Sequence, residues 1–184
     1  LALKDREREV EALNQRLAQE GLMRCLPPAL VEGLMSGSME LDREPHGVSA
    51  TLLVCSLQGF NTHTRSLQAS RTARMLDAYL GAVSDAAFAH GATVDRFNGD
   101  EVVLIFGAPT QMSDPEQVRR AGLCALDIQA AVAGLRTAWE ERKLPIPEVR
   151  IAIHQGTIMV GTFGGEQRTE YTAVGPNVAR TQQL

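Results

Sequence analysis

ATVDRFNGDEVVLIF, residues 92–106, holds two runs rich in β-branched and aliphatic residues on either side of Asn98, Gly99 and Asp100. An Asn-Gly pair between two such runs predicts a β-hairpin closed by a tight turn. Upstream, Leu76, Leu80, Val83 and Ala87 recur at helical spacing within residues 67–90, and Gly91 stands where that helix should end. VSATLLVCSL, residues 48–57, is long enough for a buried strand and is closed by Gly59. Downstream, Asp114 is the expected N-cap of a second helix, with Pro115 at its first position and Gln117 completing a capping box. Val118, Ala121, Ala125, Ile128, Val132, Leu135 and Trp139 mark its buried face, and Pro145 and Pro147 end it. A strand follows in residues 149–154, Gln155 and Gly156 are read as a turn, and residues 157–161 as a returning strand. Strand, helix, hairpin, helix and strand in this order make the split βαβ, ferredoxin-like plan: an α+β fold whose antiparallel sheet carries its helices on one face.

The first 22 residues, LALKDREREVEALNQRLAQEGL, place Leu3, Val10, Leu13 and Leu17 on one stripe of an amphipathic helix. Two readings of that stripe stay open, a coiled-coil seam and a helix packed on its own domain, because the segment is shorter than the three or four heptads that separate them. Pro27 and Pro28 stop the helix, Leu30, Val31 and Leu34 form a short element, and a polar linker covers residues 36–46. Residues 1–47 are therefore read as helix and connector, a possible signalling stem, and residues 48–184 as the main domain. The chain begins with Leu1, without an initiator Met, and is expected to be a piece of something longer.

Composition narrows the function. The 184 residues carry 18 Lys and Arg against 22 Asp and Glu, a formal charge of −4, and 44% of them are hydrophobic, which suits one soluble domain with a substantial core. No run approaches the roughly 18 apolar residues of a membrane span. Mild acidity and only eight aromatic residues argue against a nucleic-acid partner. Cys25, Cys55 and Cys124 have no metal-ligand spacing, and two of them lie in apolar patterns, so a reducing, cytoplasmic setting fits.

On the residues alone, Asp100 is the candidate for chemistry. A carboxylate on a tight turn beside Gly99 suits magnesium carrying a phosphate ligand, while a plain turn residue is the alternative. Glu101 follows on a strand and faces the other way. His46, His63, His90 and His154 have no metal-type partner. GTFGG, residues 161–165, lacks the Lys and helix of a phosphate loop and reads as a hairpin tip.

Four segments taken together resemble the catalytic domain of the class III adenylate and guanylate cyclases: ATLLVCSLQGF (50–60), VDRFNGDEVVLIFGAP (94–109), VRIAIHQGTIMVGTFGGEQRTEYTAVG (149–175) and NVARTQQL (177–184). The hairpin is also similar to the Gly-Gly-Asp-Glu-Phe turn of diguanylate cyclases, but Asn98 and Val102 depart from that pattern and the downstream segments match the class III enzymes. The resemblance implies a dimer with sites at its interface, where two Asp residues hold two magnesium or manganese ions. The partner then reads the purine of ATP or GTP, orients the ribose with an Asn and stabilises the phosphates with an Arg. The likeness stops short of the final strands and helix usual in the family.

Carried over by position, Asp100 matches the hairpin metal Asp, whereas Ser56 stands in the slot of the first-strand metal Asp. Leu57, Gly59 and Phe60 retain backbone groups for metal and phosphate. Arg96 takes the place of the purine-reading Lys, with a flat guanidinium instead of an ammonium, and Thr172 matches the second purine-reading position. Aligned on Tyr171, Gly175 and Val178, the last motif puts Ala179 in the slot of the ribose-orienting Asn and Gln183 in that of the transition-state Arg. Sliding Asn177 and Arg180 into those roles breaks the spacing from Gly175 to Val178. The resemblance with these departures implies a dimerising cyclase homology domain, catalytically degenerate, acting as a regulatory or nucleotide-sensing module below an upstream sensor, in the cytoplasm or on the cytosolic side of a receptor. The alternative is an active cyclase, as a homodimer or beside a complete partner subunit.

Overall fold

A computed structural model describes residues 36–37, 44–165 and 168–183. The chain separates into two compact units, Leu1–Glu40 and Leu41–Leu184, and every helix and strand below belongs to the second. The N-terminal amphipathic helix, Cys25 and the element at Leu30 to Leu34 lie outside the described residues.

The elements run β1 (His46–Leu57), α1 (Phe60–Thr64), α2 (Ala69–Ala89), β2 (Thr93–Asn98), β3 (Glu101–Phe106), α3 (Asp114–Glu141), β4 (Val149–Gly165), β5 (Arg168–Val174) and α4 (Pro176–Gln183). They form one five-stranded antiparallel sheet in the order β2-β3-β1-β4-β5. The expected α+β, split βαβ plan is therefore present, with β5 added at the edge of the four ferredoxin-like strands.

Alternation along β1 feeds two cores, because successive strand side chains point to opposite faces. Leu53, Cys55 and Leu57 face α2 and α3 together with Val102, Leu104 and Phe106. Leu52 and Ala50 face the other way and meet Ile105, Ile158, Val160, Ala173 and Val178. The two long helices thus share one face, as expected, and the short α4 covers the other through Val178. Cys55 and Cys124 are buried on the helical face, where burial pushes both thiols up to about 12, so they serve as small hydrophobes.

Several local expectations are corrected. Gln155 and Gly156 do not turn: β4 is one strand of 17 residues that pairs with all of β1, from His46 opposite Val160 to Leu57 opposite Val149. Gly156 serves close approach instead, since a Cβ there would stand 2.6 Å from the Asn177 amide nitrogen on α4. Residues 161–165 are likewise strand, paired with β5 out to Gly165 opposite Arg168, and not the hairpin tip. The helix expected over residues 67–90 is preceded by the separate short α1 and begins at Ala69. Its buried stripe is Met75, Tyr79, Val83, Ala86 and Ala87, with Leu76 and Leu80 only partly covered.

The start of α3 differs most. Ser113, not Asp114, is the N-cap, and no side chain caps it. Gln117 turns inward and is 1% exposed, which rotates the stripe and leaves Val118 45% exposed. Its amide Nε2 donates to the Ser49 carbonyl at 3.1 Å and the Met112 carbonyl at 2.9 Å, and its Oε1 accepts from the Thr51 hydroxyl at 3.3 Å. A buried amide satisfied on both ends beats a solvent-exposed cap, because leaving these groups unpaired costs their desolvation. Gln117→Leu should therefore lower unfolding stability by about 2 kcal/mol, read from urea denaturation; an unchanged midpoint would overturn this role.

Candidate functional site

Asp100 occupies the turn between β2 and β3, next to Gly99 at φ +64°. Its Oδ2 accepts a hydrogen bond from the Leu57 backbone N–H at 2.9 Å. That bond ties the hairpin turn to the end of β1 and brings Asp100 to the Ser56–Leu57 peptide, two motifs separated by 43 positions. Beyond Leu57 the chain turns sharply. Gly59 has φ +68°, and a Cβ there would stand 2.9 Å from the His63 ring, so conformation and space both favour glycine. Phe60, 4% exposed, anchors the loop in the helical-face core.

Ser56 is half-buried and lines a cleft of about 130 Å³ with Glu101, Arg150, Thr181, Gln182 and Gln183. Ser56 pairs across the sheet with Arg150, and Gln182 donates to Glu101 Oε1 at 2.7 Å. Ser56 and Gln183 are thereby neighbours within one chain. Ala179, one helical turn before Gln183, is exposed and lies outside the cleft lining. Asn177 is committed to structure: its Nδ2 donates to the Thr157 carbonyl at 2.8 Å and its Oδ1 stands 3.1 Å from His154 Nε2. Among the described residues, no three His, Cys, Asp or Glu side chains converge as a metal cluster.

Arg96 and Thr172 come from strands at opposite edges of the sheet, yet Arg96 Nη1 donates to Thr172 Oγ1 at 3.5 Å and Nη2 to the Ala173 carbonyl at 3.3 Å. What joins them is Asp95. Thr172 Oγ1 donates to Asp95 Oδ1 at 2.8 Å, the Ala173 N–H at 3.0 Å, and Arg96 Nε stands 3.2 Å from Oδ2. The β2–β3 register shifts between Val94 and Arg96, which makes Asp95 the extra residue of a β-bulge. A bulge re-aims a side chain, and here it lets two consecutive residues reach the same strand. Reading by alternation missed Asp95; the available signal was an acid beside a base inside an apolar strand.

The Asp95 side chain is 1% exposed. Burial pushes its carboxyl above the ordinary 3.8, against the pull of Thr172, Arg96 and the Ala173 N–H, and Oδ2 has no hydrogen bond of its own.

With this geometry in view, relatives decide the family. No protein-family profile matches the chain. The crystal structure of the guanylyl cyclase Cya2 is 33% identical and superposes with a TM-score of 0.70, covering 79% of this chain and 71% of that one. The chain belongs to the class III nucleotidyl cyclase catalytic domains. The adenylyl cyclase CyaB from P. aeruginosa is 28% identical with a TM-score of 0.73, covering 77% and 72% of the two chains. Adenylate cyclase 1 of Rhizobium meliloti (strain 1021) is 30% identical over 134 residues, 73% of this chain. The chain spans about a fifth of the length of the curated relatives it matches first.

An acid whose folded pKa is raised holds its proton better folded than unfolded, so its contribution to stability is complete below 3.8 and is lost as pH rises through the folded value. Asn cannot titrate. In urea unfolding of the parent cyclase domain and Asp95→Asn, the parent's stability relative to the variant should therefore fall as pH climbs above 3.8; a gap widening in the parent's favour would reverse the assignment.

Proposed function

We propose that this domain is a dimerising, catalytically degenerate cyclase homology module that senses a purine nucleoside triphosphate below an upstream signal input. Residues 1–47 would be its stem and residues 48–184 its nucleotide domain. What supports this reading is the neutral side chains of Ser56 and Gln183 in slots that the family fills with charge; in a dimer the Ser56 slot of one subunit would face the Gln183 slot of its partner. Ala179 adds a third departure at the ribose slot.

Cyclisation joins the ribose 3′ oxygen to the α-phosphate and expels pyrophosphate. Such phosphoryl chemistry is catalysed chiefly by positioning and by charges aimed at the phosphate oxygens. Losing an arginine from that task costs roughly 10³ to 10⁵ in rate, and residues that act as a unit do not add their effects simply. Here the Arg slot holds an uncharged amide.

The residues present do not fit a centre of two ions. Asp100 is the one carboxylate in the metal slots, and its Oδ2 is already engaged by Leu57. Magnesium or manganese would arrive with the nucleotide's phosphates and lean on Asp100 alone, since magnesium is commonly held by one carboxylate plus substrate oxygens. The purine side is similarly engaged: Thr172 gives its proton to Asp95 and accepts from Arg96, so these groups support binding more than discrimination between ATP and GTP.

Three measurements test the reading. Calorimetry with ATP or GTP and magnesium should register binding, whereas a bare dimerisation platform gives no heat. Concentrated pure protein should form cyclic nucleotide no faster than Asp100→Ala; turnover clearly above that variant, alone or beside a complete cyclase subunit, favours the active enzyme. Ser56→Asp, Ala179→Asn and Gln183→Arg combined should raise turnover by about 10³ or more, and a folded, dimeric triple variant with no gain would refute the slot assignment.

A further inference from the structure

Helices α2 and α3 run antiparallel on the face of the sheet away from Arg96 and Thr172. One end is tied by Arg120 Nη1 donating to the His90 carbonyl at 3.4 Å, the other by Arg71 Nη2 donating to the Arg142 carbonyl at 3.1 Å. Toward the second end the facing residues shrink to Ala78 and Ala138, and the helices leave a cleft of about 390 Å³. That volume lies in the range of small-molecule sites, roughly 300–1,000 Å³.

The lining has a consistent chemistry. Met75 and Trp139, 1% and 4% exposed, form an apolar floor with Leu144, and Arg71, Arg74 and Arg142 stand at the rim. Among the described residues, no carboxylate lines the cleft. Arg119 and Arg120 on α3 are ion-paired with Glu116, but among the described residues neither Arg74 nor Arg142 has an acidic partner within 4.0 Å. Guanidinia left over an apolar floor suit a ligand with a greasy body and fork-shaped anionic ends.

We propose that the α2–α3 cleft is a binding site for a small organic dianion, an apolar body ending in two carboxylate or phosphate groups. The apolar body lies on Met75 and Trp139, and the oxyanions take Arg74 and Arg142, with Arg71 holding the rim. The site is separate from the nucleotide site and does not rest on how that site is read.

Trp139 is the only tryptophan of the chain, so its emission reports on the cleft directly. Titration of the full chain with octanedioate, which is optically silent, should give a saturable change in that emission and matching calorimetric heat. Arg74→Gln and Arg142→Gln should each weaken binding about tenfold, the worth of one charge-assisted hydrogen bond. Ala78→Leu should abolish it by filling the cleft with every charge intact. The diol of the same chain length and inorganic sulfate should bind far more weakly. No saturable response to octanedioate, or undiminished binding by the double Arg variant, would overturn the site; sulfate binding as tightly as octanedioate would overturn the requirement for an apolar body.

Discussion

Strand β1 is hydrogen-bonded on both edges and packed on both faces, and every other element takes its position from it. Its register with β3 and β4 sets which residues of each strand enter which core. One residue of slip would send Leu52 and Leu53 to each other's face and break both clusters at once, because the side-chain period of a strand is two. The same strand ends at Leu57, whose N–H holds Asp100, so the register that builds the core also places the hairpin carboxylate beside Ser56.

The second constraint is the bulge at Asp95. Strands β2 and β5 are at opposite ends of the sheet order, yet a buried carboxylate on one accepts from Thr172 and Ala173 of the other. A buried ionisable group is tolerated only where partners surround it, and Arg96 and two hydrogen bonds supply them. The result is that Arg96 and Thr172 are held together within one chain. Charge also lines the cleft of Ser56 and Gln183, through Glu101 and Arg150, while Ser56 and Gln183 are themselves neutral.

Much of the architecture was legible because it rests on local patterns. The Asn98–Asp100 turn, the two long helices and the antiparallel plan follow from hydrophobic period and turn chemistry. Errors arose where a residue type has two physical uses. Gly156 looked like a turn but clears space for Asn177, and Gln117 looked like a cap but satisfies carbonyls inside the fold. The offsets in the helical stripes have the same origin: which face is buried depends on the partner, and spacing alone leaves it one position uncertain, as Val118 illustrates.

By itself, the order of residues determined the fold class and the likeness to class III cyclases, because these are properties of pattern and of motif spacing. Only the tertiary structure decided that Ser56 shares a cleft with Gln183, that Asp95 clamps Arg96 to Thr172, and that two helices part over Trp139 beneath three arginines. The reason is physical. Each of these arrangements depends on contacts between segments far apart in the chain, set by strand register, a bulge and the packing of small residues, and none of the three leaves a period in the sequence.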